Sequence, residues 1–187
     1  AVEKAKSLVE QGLAQEILLV GDGDDPEIHE FPAVYGSLLR SVDHRYVNGN
    51  TSALRPIRST AVILQPGDFS AKSTYELWAS KIEGVPMRNG EGAITLFYLQ
   101  QHAIDLSPAV PFPTPRRLAN GVTLLGFTPL PGDDLRWEIY WQIERAVATN
   151  YHFFNHLVDA SSERIGQTDA AALSSSQWRA GDQLVSF

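Results

Sequence analysis

Residues 108–115 read Pro-Ala-Val-Pro-Phe-Pro-Thr-Pro, and this stretch divides the chain into two parts with different patterns. Prolines at four of eight positions favour an extended, polyproline-like connector. Before it, apolar residues are grouped in short runs; after it, they alternate with polar residues. The sequence therefore predicts domain boundaries at 1–107 and 117–187, joined by a proline-rich linker at 108–116.

The front part has the pattern of an α/β domain. Nearly continuous apolar runs, typical of buried strands, are found at Glu16–Val20, Thr60–Leu64 and Ala93–Leu99. Helical spacing of apolar residues is found before the first run and between the later runs, at residues 1–12, 25–40 and 73–83. Strands that alternate with helices predict a parallel or mixed sheet with helices packed on it.

The rear part has the pattern of an all-β antiparallel sandwich, jelly-roll-like in class. In Leu135–Ile143, apolar residues at every second position alternate with polar ones, which is typical of a half-buried strand. Tyr151–Val158 follows a similar pattern, and shorter strand candidates lie at 164–168 and 183–187. Because strand-like residues continue up to Phe187, we expect a sandwich that is truncated at the C-terminal end.

The composition restricts the classes of function. The 187-residue chain has a net charge of −7 and scattered basic residues, which argues against nucleic acid as a partner. It has no cysteine, which excludes disulfides, thiolate catalysis and cysteine-based zinc sites. The first residue is Ala1 and not Met, from which we expect a processed or excised piece of a longer protein.

The densest group of polar residues lies between the first strand and the second helix. Candidate ligand-binding residues there are Asp22, Asp24, Asp25, His29 and Glu30. Ligands of open α/β sheets bind at such carboxyl ends of strands, and carboxylates with a histidine can hold a divalent metal or act as acid and base. The simpler interpretation is a Gly-Asp turn followed by a helix that is capped by Asp25.

Aromatic residues of the rear part are the second candidate group. Trp137 and Trp141 share the apolar face of one strand and are predicted in the core. Trp178 has polar neighbours, so both a core position and an exposed, sugar-stacking position stay open. Asp159 and Asp169 follow strand candidates; they are candidate ligand-binding residues or simply turn residues.

His152 and His156 are four residues apart. On a strand, that spacing places them about 13 Å from one another, which is too far for one metal ion. A zinc site built on this pair is therefore not expected.

Several short motifs carry a resemblance to a known family. In the rear part these are Leu124-Leu125-Gly126-Phe127, Pro131-Gly132-Asp133-Asp134-Leu135, Ile139-Tyr140-Trp141, Phe154, His156-Leu157-Val158-Asp159, Gln167, Asp169, Trp178 and Gly181-Asp182. In the front part they are Leu19-Val20-Gly21-Asp22-Gly23-Asp24-Asp25-Pro26 and His44-Arg45-Tyr46-Val47. The chain resembles the soluble region C-terminal to the membrane helices of bacterial polytopic glycosyltransferase-like proteins, relatives of the dolichyl-phosphate-mannose-type transferases.

The resemblance implies a non-catalytic accessory module on the extracytoplasmic side of a bacterial membrane. Its partners would be the parent membrane domain and a glycan or lipid-linked sugar. No catalytic residue is carried over, since the catalytic residues of those enzymes lie in their membrane part, and no cofactor is expected. Two alternatives stay open: a stand-alone carbohydrate-binding module, and a small metal-dependent hydrolase or transferase that uses the acidic loop 22–30 with a divalent metal.

Overall fold

The computed structural model describes residues 1–87, 92–101, 108–131, 136–149, 151, 155–168 and 173–187. The protein is rich in sheet, with 41% strand and 18% helix. In the described ranges, no helix has both the length and the apolar character needed to cross a bilayer.

Three helices, twelve strands and a 3₁₀ turn are described along the chain. They are α1 (Val2–Glu10), β1 (Glu16–Gly21), α2 (Glu30–Leu38), β2 (His44–Asn48), β3 (Ser52–Arg55), β4 (Thr60–Leu64), α3 (Ala71–Trp78), β5 (Lys81–Val85), β6 (Ile94–Leu99), β7 (Val110–Arg117), β8 (Val122–Leu130), β9 (Arg136–Ile143), β10 (Asn155–Val158), β11 (Arg164–Thr168), the 3₁₀ turn (Ser175–Gln177) and β12 (Gln183–Ser186).

The first sheet is mixed and has the strand order β2-β1-β4-β6-β5. Strand β1 pairs in parallel with β2 and β4, whereas β6 runs antiparallel to both β4 and β5. The α/β character predicted for the front part is thereby confirmed. The predicted helix at 73–83 is too long, however: α3 ends at Trp78, and Lys81–Val85 pairs with β6 as a strand instead.

The second sheet is antiparallel and has the strand order β3-β12-β9-β8-β7. The proline-rich segment, predicted as a linker, contributes β7 at its edge. An edge position suits prolines because their missing N–H groups would otherwise break a ladder between two strands. Strand β3 from the front part also pairs with β12, so this sheet contains strands from both sides of the predicted boundary. Strands β10 and β11 form a separate two-stranded ribbon.

Two hydrophobic clusters lie on opposite faces of the first sheet. The side chains of β1 alternate between them: Ile17 and Leu19 lie in a cluster with residues of α1 and α2, whereas Leu18 and Val20 lie in the other. That second cluster also contains residues of the second sheet, including Trp141, which is 7% exposed as predicted for a core residue. The two sheets therefore share one core.

Trp137, the other tryptophan predicted in the core, is only half-buried. It lines a surface groove with Phe69 and Lys72, at the N-terminal end of α3. Its position near the start of β9 leaves it beyond the part of the sheet that packs on the shared core.

Gly126 provides a test of how the proline-rich strand docks. It has φ +155° at an irregularity in the β8–β9 pairing, and a Cβ there would lie 2.4 Å from the carbonyl oxygen of Val110 in β7. We expect Gly126→Ala to destabilise the protein by about 2 kcal/mol or more, since both the backbone conformation and the contact with β7 are strained.

The matched control is Gly84→Ala in β5, where a Cβ would meet nothing within 4 Å. Urea denaturation of the two variants measures the difference. Equal free energies of unfolding for the two variants would contradict the described docking of β7 on β8.

Candidate functional site

A cleft of about 810 Å³ lies beside β2, at the edge of the first sheet. Four parts of the chain form it: the loop after β1, the start of β2, Tyr151, and the segment around the 3₁₀ turn. The lining residues are Asp24, Asp25, Pro26, Glu27, Ile28, His29, His44, Arg45, Tyr46, Tyr151, Ser174, Ser176, Gln177, Trp178 and Arg179. The cleft thus brings Asp24, Asp25 and His29 of the first candidate group together with Trp178 of the second.

Asp25 holds the loop after β1 in a tight turn. Its carboxylate accepts a hydrogen bond from the N–H of Glu27 at 2.9 Å, and its carbonyl accepts from the N–H groups of Ile28 and His29. This is the local bonding that favours aspartate in turns. The predicted role of Asp25 as helix cap is wrong, because α2 begins five residues later, with His29 at the N-cap position.

Asp24 connects the loop to the rear part of the chain. Its carboxylate accepts a hydrogen bond from the N–H of Ser174, 150 residues away, at 3.1 Å. Burial raises the pKa of this carboxyl above its ordinary value, although the Ser174 bond and His29 act in the opposite direction. Asp24 is therefore a partly desolvated acceptor in the wall of the cleft.

The 3₁₀ turn closes the edge of β2 and forms the opposite wall. The side-chain oxygen of Gln177 accepts a hydrogen bond from the backbone N–H of Tyr46 at 2.8 Å. The backbone carbonyl of Gln177 accepts one from the Arg45 side chain at 3.0 Å. His44 contacts the Tyr46 hydroxyl at 3.0 Å and the Val42 carbonyl at 2.7 Å. These bonds fix the aromatic and histidine side chains along the cleft floor.

A buried ion cluster lies directly behind this wall. Arg45 donates two hydrogen bonds to Glu16, at 3.0 and 2.8 Å, and a third to Asp182. Arg179 donates to Glu16 at 2.6 Å and to Asp43 at 2.7 Å. Burial opposes the charge of Arg45, but Asp182 and Glu16 outweigh it and raise the arginine's pKa. Both arginines of the cleft are thus paired with carboxylates of the chain itself.

Trp178 supports the cleft from below and does not present its ring to solvent. It is 2% exposed, its indole N–H donates to the Leu173 carbonyl at 3.3 Å, and it belongs to the shared core. Tyr151 stacks on it with a centroid distance of 6.2 Å and an interplanar angle of 16°. The sequence allowed a core position or an exposed position for Trp178, and the structure shows the core position. The more exposed ring of the stacked pair is that of Tyr151, which is half-buried.

The other predicted site residues lie away from the cleft or outside the described residues. Asp22 and Glu30 are exposed and do not line it. The Asp159 carboxylate accepts from the N–H groups of Ser161 and Glu163, so it has the bonding of a turn residue. Asp169 lies outside the described residues.

Only one residue of the histidine pair is described, and the metal alternative can be compared with the described ranges alone. His152 lies outside the described residues, and His156 lies in β10. Within the described ranges, no three histidine, aspartate or glutamate side chains come together in a way that could hold a metal ion.

Sequence reasoning missed the ion cluster and the 3₁₀ wall. The available signal was Glu16, a charged residue directly in front of the apolar run Ile-Leu-Leu-Val, whereas Arg45 lies in the mixed sequence His-Arg-Tyr-Val-Asn of β2. Charges at such positions are almost never fully buried unless they are paired. Their partners Asp182 and Arg179 lie more than 130 residues further along, beyond any local pattern.

Comparison of the chain with protein-family models, with curated proteins and with solved structures gives no match.

Removal of Arg45 tests the ion cluster. We expect Arg45→Met to destabilise the protein by about 3–5 kcal/mol, because Glu16 and Asp182 are then left buried without their partner. The matched control is Arg58→Met, which removes an exposed pair with Asp43 at 3.4 Å and costs less than about 1 kcal/mol. Chemical denaturation measures both variants. Similar losses in the two variants would rule out a structural role for the cluster.

Asp24→Asn tests the burial of the Asp24 carboxyl through pH dependence. The folded-state pKa lies above the ordinary 3.8, so the folded protein binds more protons than the unfolded chain in the window just above 3.8. The contribution of Asp24 to stability thus falls as pH rises through that window. Asparagine keeps an acceptor for Ser174 without the charge. We therefore expect the variant to gain stability relative to wild type as pH rises.

Thermal unfolding of both proteins between pH 3 and pH 7 gives this difference. A wild type that gains stability relative to Asp24→Asn as pH rises would have the opposite sign and would contradict the raised pKa.

Proposed function

We propose that this chain is a non-catalytic accessory module that binds a neutral or amino-substituted glycan in the cleft beside β2. The observation that carries the proposal is the combination of a half-buried aromatic ring, Tyr151, with closely spaced hydrogen-bond acceptors and donors in a single cleft. In line with the family resemblance, the module would belong to the extracytoplasmic part of a bacterial membrane glycosyltransferase-like protein.

The chemistry of the lining suits a polyhydroxylated ligand. Asp24 and Asp25 provide carboxylate acceptors, whereas Ser176 provides an exposed hydroxyl that both donates and accepts. Tyr151 provides a flat apolar face with its orientation fixed by Trp178. A sugar ring has one apolar face and a rim of hydroxyls, and a binding site with an aromatic surface and a few oriented polar groups complements both.

The charge of the cleft limits the kind of sugar. Arg45 and Arg179 are already paired with Glu16, so they do not supply free positive charge to a ligand. The remaining charged side chains of the loop are Asp24, Asp25 and Glu27. They would repel uronic acids, sialic acids and phosphates. If the ligand is a lipid-linked sugar, the cleft would therefore hold the sugar and leave the phosphate outside.

We also infer the class of fold. The two sheets would pack on their shared hydrophobic cluster as a β-sandwich. The second sheet and the β10–β11 ribbon would form the jelly-roll-like part that the sequence predicts. The shared cluster and the antiparallel order of the second sheet support this assignment.

Glycan binding tests the proposal, with two aspartates of one loop as a matched pair. Asp24→Ala removes an acceptor inside the cleft, whereas Asp22→Ala removes an exposed carboxylate outside it. On an array of neutral, amino-substituted and acidic glycans, we expect wild-type binding to the first two classes only. Asp24→Ala should weaken it at least about tenfold, the size expected for a lost hydrogen bond to a charged group. Tyr151→Ala should also weaken it, because the apolar face for the sugar ring is lost.

Asp22→Ala should bind like wild type. Absence of binding to every glycan, or an equal loss in Asp22→Ala and Asp24→Ala, would refute the cleft as the site. The membrane association has a separate test: a natural reading frame that encodes this stretch alone, without neighbouring apolar segments of about 20 residues, would contradict it.

A further inference from the structure

Three of the four edges of the two five-stranded sheets have a visible protection against pairing with another chain. The edge of β2 is closed by Gln177, which binds the Tyr46 N–H. The edge of β3 is closed by the Tyr75 hydroxyl, which bonds to both the N–H and the carbonyl of Leu54. Strand β7 contains three prolines, which lack the donors of a ladder. Proteins protect edge strands in such ways because an open edge pairs with other strands.

The fourth edge, β5, has none of these protections in the part of the chain that the structure describes. It is the last strand of the first sheet, it contains no proline, and no described strand lies beyond it. Ile82, the second residue of β5, is 49% exposed, and no atom lies within 4 Å of the position a Cβ would take on Gly84. Among the described residues, β5 is therefore the outermost strand on this side of the sheet.

We propose that β5 pairs with β5 of a second copy of this chain, antiparallel and centred on Ile82. In this register, Lys81 lies opposite the partner's Glu83, and Glu83 lies opposite the partner's Lys81, so two complementary pairs form by symmetry, in addition to the exposed contact of each Glu83 with Lys4 of its own chain. Ile82 lies opposite its own counterpart, which covers two exposed apolar side chains. Opposite charges directly across a ladder stabilise it, whereas like charges weaken it.

Other ways of self-pairing lack this complementarity. A parallel arrangement in register places lysine opposite lysine and glutamate opposite glutamate. An antiparallel arrangement centred on Lys81 or on Glu83 places that residue opposite its own counterpart, with the same repulsion. The order of charges in Lys-Ile-Glu therefore selects the two-fold arrangement around Ile82.

The proposed dimer leaves both clefts open. The cleft lies beside β2, and β2 and β5 are at opposite edges of the same sheet. Pairing through β5 would give one continuous sheet of ten strands with a cleft at each end, roughly 40 Å apart at the usual strand spacing. The inference stands on the sheet edge alone, so it holds or fails independently of the glycan proposal.

Charge reversal of the two pairs tests the dimer and its register. Sedimentation velocity on wild type over a range of concentrations should show a monomer–dimer equilibrium. Lys81→Glu alone and Glu83→Lys alone should each raise the dimer dissociation constant about tenfold, since each creates two like-charged pairs. The double variant Lys81→Glu with Glu83→Lys restores complementary pairs, and its dissociation constant should return to within about threefold of wild type.

Arg40→Glu, an exposed charge reversal outside β5, is the control and should not change association. Circular dichroism checks that each variant is folded, because Glu83→Lys also loses the contact with Lys4. A wild type that stays monomeric at all concentrations would overturn the proposal. So would a double variant no better than the single ones, which would exclude the antiparallel register.

Discussion

The packing of the two sheets depends on a cluster of buried ions in which Glu16, Arg45 and Asp182 meet. Glu16 and Asp182 are fully buried and Arg45 is 2% exposed, so each would be costly without its partners. The second carboxylate oxygen of Asp182 accepts from the N–H of Ile57 at 3.0 Å, which leaves both of its oxygens bonded. Glu16 and Arg45 come from β1 and β2, and Asp182 comes from the turn before β12, so the full set of bonds forms only when the front and rear parts of the chain have assembled.

The cleft is a consequence of the same cluster. Besides Glu16 and Asp182, Arg45 also binds the backbone carbonyl of Gln177. The side chain of Gln177 in turn accepts a hydrogen bond from the backbone of β2. The 3₁₀ turn is thereby fixed along the strand edge, opposite the acidic loop that Asp24 attaches to Ser174. The ion cluster also determines the charge of the cleft. Both arginines of the cleft pair with Glu16, so the negative charge of the acidic loop is the charge that a ligand would contact.

Local patterns predicted those parts of the fold that depend on local burial. The apolar runs of β1, β4 and β6 and the alternation in β9 each reflect a strand's own environment, and each is a strand in the structure. Strand β5 was not predicted because Ile82 also continues the helical spacing of α3, and its edge position does not require an apolar run. In the site, the Gly-Asp loop was visible from its composition, whereas the wall opposite depends on contacts across more than 130 residues.

The two edges of the first sheet differ in a way that connects the proposed dimer with the proposed ligand. At β2, the chain uses its own Gln177 to close the edge, and the closing segment becomes a wall of the cleft. At β5, the proposed dimer would close the edge with a second copy. Hydrogen bonds to a neutral sugar replace hydrogen bonds to water and leave a small net gain each, so a single shallow cleft binds weakly. Two clefts on one rigid sheet would let a glycan chain, or neighbouring glycans on a surface, bind both at once, and the second contact would then form at a high effective concentration. A dimer through β5 is the arrangement that adds this gain without covering either cleft.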